Sequence, residues 1–385
     1  MAKKKDEDKE SPLTDLGALV GEMIKDYRNV GLPMEKGKVD CDFIDTGNYA
    51  LNYIMSGSFD NGLPSGQVTE IHGDPSTGKS LLLYNIIANF LKKYPRGVVV
   101  LDDTEQAYVQ YLGSKLDIDE SRLIKISSAT VEDHMNMIFR GGKILNQVND
   151  ESKEIDVAEP IISKLLNAGV ENIMIAIDSV AVMSTKHEQD VGLDKPDMSK
   201  AKVLKALLRV AVPYIKKYKI TYIVTNHLIH MIGSMIPNQK TTPGGGGIVY
   251  QSSIRLGMSN AGKLKVKDTN LIAGVKSRVT TVKNRFAPPF RQAELEIMFN
   301  AGLSRYSGIV SLLMGLGVLK MTSGGWYTVI DTDYKFQQKQ LPEKWEEIRK
   351  LLNDKQILQR EQVIVDDKGS ESDQFGYEED EGGND

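Results

Sequence analysis

Residues Gly73-Asp74-Pro75-Ser76-Thr77-Gly78-Lys79-Ser80 fit the pattern G-x-x-x-x-G-K-[ST], and their setting narrows the possible folds more than any other stretch. An apolar, β-prone run (68–71) leads in, and an apolar run of helical period (81–90) leads out. Strand, glycine-bearing loop and helix in that order make a phosphate cradle. The glycines let the backbone curl so that its N–H groups converge on phosphate oxygens, and the helix adds its positive N-terminal end. Lys79 then reaches β- and γ-phosphates, and Ser80 offers a hydroxyl to Mg²⁺. The plain alternative is a glycine turn ahead of an ordinary helix, and the matching strand and helix weigh against it.

Between residues 41 and 299, short apolar runs at 68–72, 98–102, 123–126, 173–177, 222–225 and 253–257 alternate with helical stretches. Several are near-continuous, as strands buried on both faces are. The expectation is an α/β fold with a mostly parallel central sheet, helices on both sides and ligands at the carboxyl ends of the strands. Residues 304–362 differ in texture. Ile309, Leu312, Leu313, Leu316 and Val318 suggest one helix, Gly324-Gly325-Trp326-Tyr327 a turn into a strand, and Trp345, Ile348, Leu351 and Leu352 a second helix. This reads as a small C-terminal α/β domain. Ahead of the core, residues 1–12 are charged. Residues 13–30 carry an amphipathic pattern (Leu13, Leu16, Leu19, Val20, Met23, Ile24, Tyr27) suited to packing on its own core or on a neighbouring subunit. The expected organisation is an arm and helix at 1–40, a core at 41–303, a small domain at 304–362 and a tail at 363–385.

A net charge of −4 over 385 residues excludes a wholly basic nucleic-acid binder, so any DNA site must be a local basic surface. Cys41 is the only cysteine, which rules out an internal disulfide and fits a reducing cytoplasm. No apolar run is long enough to predict a membrane helix, and the first residues lack the apolar stretch of a secretory signal. The last twenty residues hold nine acids against one lysine, a composition that predicts a solvated tail.

An ATPase needs a second acid near the metal. The run 173–177 ends in Asp178-Ser179, a buried strand closed by an aspartate that can hold Mg²⁺. Hydrolysis also needs a group to orient or deprotonate water. The strand at 98–102 ends in Asp102-Asp103-Thr104-Glu105, where Glu105 is the candidate base and Asp103 a residue that helps place it; a solvated acidic loop is the even-handed alternative. A third strand ends in Asn226-His227, polar groups able to sense the γ-phosphate. His227 and His230 make no convincing metal pair. Two further stretches have the look of functional loops. Residues 183–198 are polar after a strong strand, and 230–249 hold Lys240 and the run Gly244-Gly245-Gly246-Gly247, which is costly to order unless backbone must approach a ligand closely or move.

The order of these parts resembles the RecA recombinase family, and most of all its phage-encoded, UvsX-type branch. The matching stretches are Phe43-Ile44-Asp45-Thr46-Gly47-Asn48-Tyr49-Ala50-Leu51-Asn52, Gly62-Leu63-Pro64-Ser65-Gly66, the P-loop, Asp103-Thr104-Glu105, Asp178-Ser179, the segment from Lys283-Asn284-Arg285-Phe286 to Ala293-Glu294, and Gly324-Gly325-Trp326-Tyr327. Together they cover about residues 40–330. The Lys283–Glu294 segment is the most specific, because generic P-loop ATPases lack it. The resemblance implies Glu105 as catalytic carboxylate, residues 183–198 and 229–247 as two DNA-binding loops, and coupling of the second loop to ATP through Asn226-His227. It also implies that Lys283 and Arg285 reach the ATP of an adjacent subunit, so that cations neutralise the transferring phosphoryl group there. His227 stands where bacterial members carry glutamine and the phage branch carries histidine. Leu112 occupies the place of the family's adenine-stacking tyrosine, with Tyr111 one residue away.

The resemblance implies a DNA-dependent ATPase that forms filaments on single-stranded DNA and exchanges strands with a homologous duplex in recombination, repair and replication. Candidate DNA contacts are Lys186, Lys195, Lys200, Lys202 and Lys240 with Gly244, Gly245 and Gly246. Partners would be single- and double-stranded DNA, further copies of the chain, a loading protein and a single-strand-binding protein, in the cytoplasm of a host cell if phage-encoded. A ring-forming helicase and an ATP-switched assembly protein on the same fold remain as alternatives.

Overall fold

The computed structural model describes residue 25 and residues 41–148, 151–191, 199–230 and 240–354. The chain divides into units of residues 1–42 and 43–385, and all that follows concerns the second. Apart from Lys25, which is helical, the 13–30 pattern lies outside the described residues, as does the acidic tail.

The six apolar runs become six parallel strands: β1 (Val68–Gly73), β2 (Val98–Asp103), β3 (Leu123–Ile126), β4 (Ile173–Asp178), β5 (Thr221–His227) and β6 (Ile254–Lys265). Three antiparallel strands extend the sheet beyond them: β7 (Ile272–Asn284), β8 (Gln292–Met298) and β9 (Gly302–Leu303). The order is β9-β8-β7-β6-β1-β5-β4-β2-β3. The expected strand ending at 257 therefore runs eight residues further, because it pairs with β7 as a long hairpin. The polar residues past Met258 hid it. The antiparallel half is partly solvated, so its strands alternate instead of reading as continuous apolar runs: Ala293, Leu295 and Ile297 are buried and their neighbours are not.

Burial on both faces follows the pleat. In β4, Met174 and Ala176 join one core, while Ile173, Ile175 and Ile177 join the other. The first core is completed by α1 (Tyr49–Ser56) and α2 (Lys79–Lys93), the second by α3 (Ser199–Lys217) and α4 (Gly246–Gln251). Asn48 starts α1 by accepting from Leu51 N at 2.8 Å, and its amide donates to Ser304 O (2.7 Å) and Ser307 O (2.9 Å). One side chain thus caps a helix and ties it to the segment after the sheet.

In the C-terminal part, α5 (Ile309–Gly315) precedes a small antiparallel sheet of Leu319–Thr322, Trp326–Val329 and Lys335–Gln337, and α6 (Leu341–Asp354) follows. Trp345 of α6 is buried between Tyr49 (5.0 Å between ring centroids) and Phe59 (5.1 Å, edge-on). A hairpin of Gly142–Val148 and Glu151–Val157, which the sequence reading did not anticipate, pairs only with itself. No helix among the described residues is long and apolar enough to cross a membrane.

Candidate active site

β1, β5, β4 and β2 lie side by side, so their carboxyl ends form one rim. The loop between β1 and α2 curls over that rim. Gly78 begins the helix at φ +87°, and a Cβ there would stand 2.9 Å from Ile297 Cδ1 of β8, so the turn requires glycine on both counts. Ser277 of β7 donates to Thr77 O (2.5 Å), and Thr77 Oγ1 donates to Asp74 O (2.9 Å), which hold the loop from below. Lys79 is buried, and its Nζ donates to Gly73 O (3.1 Å) and Asp74 O (3.0 Å). Burial lowers its pKa, against the opposing pull of Glu105, Asp178 and Asp74. Beside it opens a cleft of about 370 Å³, lined by Pro75, Ser76, Gly78, Lys79, Ser80, Leu81, Glu105, Asp178, His227, Val275 and Phe299.

Asp178 closes β4 under this cleft. It accepts from Thr225 Oγ1 (2.6 Å) and Tyr84 OH (3.1 Å), and it is hydrogen-bonded to Ser80. Burial holds its carboxyl above the usual range even though these hydroxyls favour the charged form. The Tyr84 hydroxyl is pushed up in turn, by burial first and by Asp178 second.

The three acids at the end of β2 part company. Asp102 turns into the second core, where it meets His134 Nδ1 (2.6 Å) and Ser128 Oγ (2.6 Å). Asp103, fully buried, accepts from Ala107 N (3.0 Å) and Tyr108 N (3.1 Å) and so fixes the turn that carries Glu105. Glu105 faces the cleft, accepting from Ser179 Oγ at 2.7 Å and lying 2.7 Å from His227 Nε2. Burial would raise its pKa, but the hydrogen bonds from His227 and Ser179 outweigh this and set it below the ordinary carboxylate range. Asn226, the residue before His227, is buried. Its Nδ2 donates to Glu70 Oε1 (2.9 Å) and Pro243 O (3.2 Å), and its Oδ1 accepts from His227 N (3.0 Å).

The fold thus gathers the P-loop, Glu105, Asp178 and His227 at one cleft. Other candidates stand elsewhere. Lys283 Nζ donates to Val249 O and Tyr250 O (both 2.9 Å), and Arg285 donates to Tyr250 O (3.1 Å), so both cap the carboxyl end of α4 and neither lines the cleft. Tyr111 is 67% exposed and away from the cleft lining, while Leu112 packs on the first core. Of the stretch 183–198, Lys186–Val191 is helical rather than loop, and Lys195 lies outside the described residues. Lys186 Nζ donates to Lys143 O (3.2 Å), and Lys202 is exposed. Lys200 donates to Ala181 O (2.6 Å), and burial lowers its pKa. Lys240, in a two-strand pairing with Ile229–His230, forms an ion pair with Asp74 of the P-loop at 2.7 Å. Gly244 and Gly245 lead into α4, which Gly246 starts; at Gly247 a Cβ would meet Lys205 Cα at 2.9 Å, so the last glycine lets α4 sit directly on α3. Sequence reasoning missed Val275 and Phe299, which the antiparallel half brings to the cleft from some 200 residues away. The roles of the Tyr84 and Thr225 hydroxyls were also missed, because nothing in their local pattern marks them, and the contact of Ser179 with Glu105 was not anticipated.

Residues 141–304 match the RecA N-terminal domain family. The chain is 31% identical over 324 residues to the RecA protein of Bacteroides thetaiotaomicron, covering 82% of this chain and 88% of that one. It is 31% identical over 301 residues to RecA of Thermus aquaticus (76% and 77%) and 28% identical over 360 residues to RecA of Clostridioides difficile (92% and 91%). The chain belongs to the RecA family. As a RecA-family protein it is a DNA-dependent, ATP-binding ATPase of recombination and repair. The P-loop lies outside the 141–304 match, yet the whole-length relatives span it.

Proposed function

We propose that the chain polymerises on single-stranded DNA, holds the strand for homology search and exchanges it with a duplex, with ATP bound between neighbouring subunits. The observation that carries this reading is the contact of His227 with Glu105 over the P-loop cleft, since His227 ends the strand that runs on toward the 240–247 glycine stretch. In this reading Lys79 and the loop N–H groups hold the phosphates, and Glu105, kept charged by its partners, takes the proton of the attacking water. Ser80 and Asp178 offer a hydroxyl and a carboxylate, the hard oxygen donors that suit Mg²⁺, and would hold it there. Bound there, the cation supplies charge neutralisation between the phosphates.

Lys283 and Arg285, outside their own cleft, would serve the adjacent subunit's ATP. Lys186, Lys195, Lys200, Lys202, Lys240 and Gly244–Gly246 form the proposed DNA surface, with mostly backbone contact and steep salt dependence. The proposal extends to a UvsX-type, phage-encoded role in recombination-dependent replication, in a host cytoplasm, with a loading protein and a single-strand-binding protein as partners. It keeps the division at 40, 303 and 362. The test is ATP turnover with and without single-stranded DNA, with electron microscopy of the same samples. Strong stimulation with helical filaments is the expected outcome. Closed rings would favour a helicase, and no stimulation with no assembly would overturn the reading.

A further inference from the structure

Glu70 lies in the middle of β1 with no exposure to solvent. A carboxylate there is costly unless it is paired and hydrogen-bonded, and both of its oxygens are used. Oε2 accepts from Arg255 Nε at 2.5 Å, and Oε1 accepts from Asn226 Nδ2 at 2.9 Å. The sheet register sets Arg255 directly beside Glu70 in β6, and Asn226 two residues further along in β5, beside His72. His72 Nδ1 stands 3.8 Å away, and burial lowers its pKa, so it adds no cation at neutral pH.

From this pair, contacts run outward in two directions. Toward the glycine stretch, Arg255 Nη2 donates to Thr242 Oγ1 (3.4 Å) and Asn226 Nδ2 to Pro243 O (3.2 Å). Toward the cleft, Asn226 Oδ1 accepts from His227 N (3.0 Å), and the His227 ring meets Glu105 (2.7 Å). A carboxamide has fixed donor and acceptor ends. Because Glu70 accepts only, it holds the NH₂ end of Asn226 toward itself and Pro243 and leaves the oxygen for His227.

We propose that Glu70 is a positioning residue that couples the 240–247 segment to the Glu105–His227 pair. It is fully buried and does not line the cleft. A shift of Thr242-Pro243 when that segment binds a phosphodiester strand acts on Arg255 and on the Asn226 amide together. Glu70, anchored in the P-loop strand, keeps the amide from simply rotating away, so the shift passes to the His227 backbone. The inference rests on the reading that this segment contacts DNA.

The test uses the full chain and three variants: Glu70→Gln; the paired Glu70→Gln with Arg255→Met, which leaves no lone buried cation; and Arg255→Lys, which keeps a cation in the strand beside Glu70 but loses the Nη2 contact to Thr242. Turnover and KM for ATP are measured with and without an oligothymidylate, alongside thermal unfolding. In the folded variants, KM without DNA stays within about twofold of wild type. The ratio of turnover with DNA to turnover without it falls by roughly five- to a hundredfold, with Arg255→Lys at the low end. An unchanged ratio in Arg255→Lys and in the paired variant overturns the proposal. So does a parallel loss of both rates with a lowered melting temperature, which is what a merely structural ion pair would give. A wild-type protein whose turnover ignores DNA overturns the underlying functional reading, and the proposal with it.

Discussion

Glu105 shows how much a single side chain owes to its surroundings. Its hydrogen bonds to Ser179 and His227 hold its pKa below the usual 4.5 despite partial burial. A depressed folded pKa adds stability that is fully present above the unfolded value and is lost as pH falls through the folded one. With no carboxylate to take the proton of the attacking water, Glu105→Gln should lose DNA-stimulated turnover by about 10²-fold or more while still binding ATP. The melting temperatures of variant and wild type should draw together below about pH 4.5, as thermal unfolding across pH will show. The candidate carboxylate was legible because it follows an apolar strand, whereas its pairing with Ser179 and His227 was not. Ser179 and His227 lie 74 and 122 residues away, and only the parallel order of β2, β4 and β5 brings them together.

At the scale of elements, the parallel strands were readable and the antiparallel ones were not, for one physical reason. A strand covered on both faces tends to read as a near-continuous apolar run, as β4 does up to Asp178, whereas β8 needs only every second residue and resembles many loops. The C-terminal elements were legible from their helical period, but their anchor was not. Trp345 fills the space between Tyr49 and Phe59, residues nearly 300 positions earlier. Trp345→Ala should cost about 3–5 kcal/mol in equilibrium denaturation, with the rings of Tyr49 and Phe59 becoming more solvent-exposed in near-ultraviolet circular dichroism. The same change at exposed Trp326 serves as control and should cost far less.

For the whole molecule, the placement of Lys283 and Arg285 outside their own cleft predicts a shared site. Lys283→Ala with Arg285→Ala should cut DNA-stimulated turnover by about 10³-fold or more and leave ATP binding in place. Mixing this variant with Glu105→Gln should restore part of the turnover, because some interfaces then pair an intact carboxylate with intact cations. No recovery on mixing would mean that each subunit works alone. Removing residues 366–385 tests whether the acidic tail competes with DNA: unchanged affinity across salt concentrations would exclude that role, since such competition is electrostatic.

The sequence by itself determined what depends on neighbours along the chain: the phosphate loop, the strands buried on both faces, and the acids and amide that end them. These need only local backbone geometry and continuous hydrophobicity. Tertiary structure alone decided which of those ends meet. It set Glu105 against His227, turned Asp102 into the core, moved Lys283 and Arg285 to the end of α4, and closed the cleft with Val275 and Phe299. Such pairings depend on strand order and register, which link residues one to two hundred positions apart and leave no trace in local pattern.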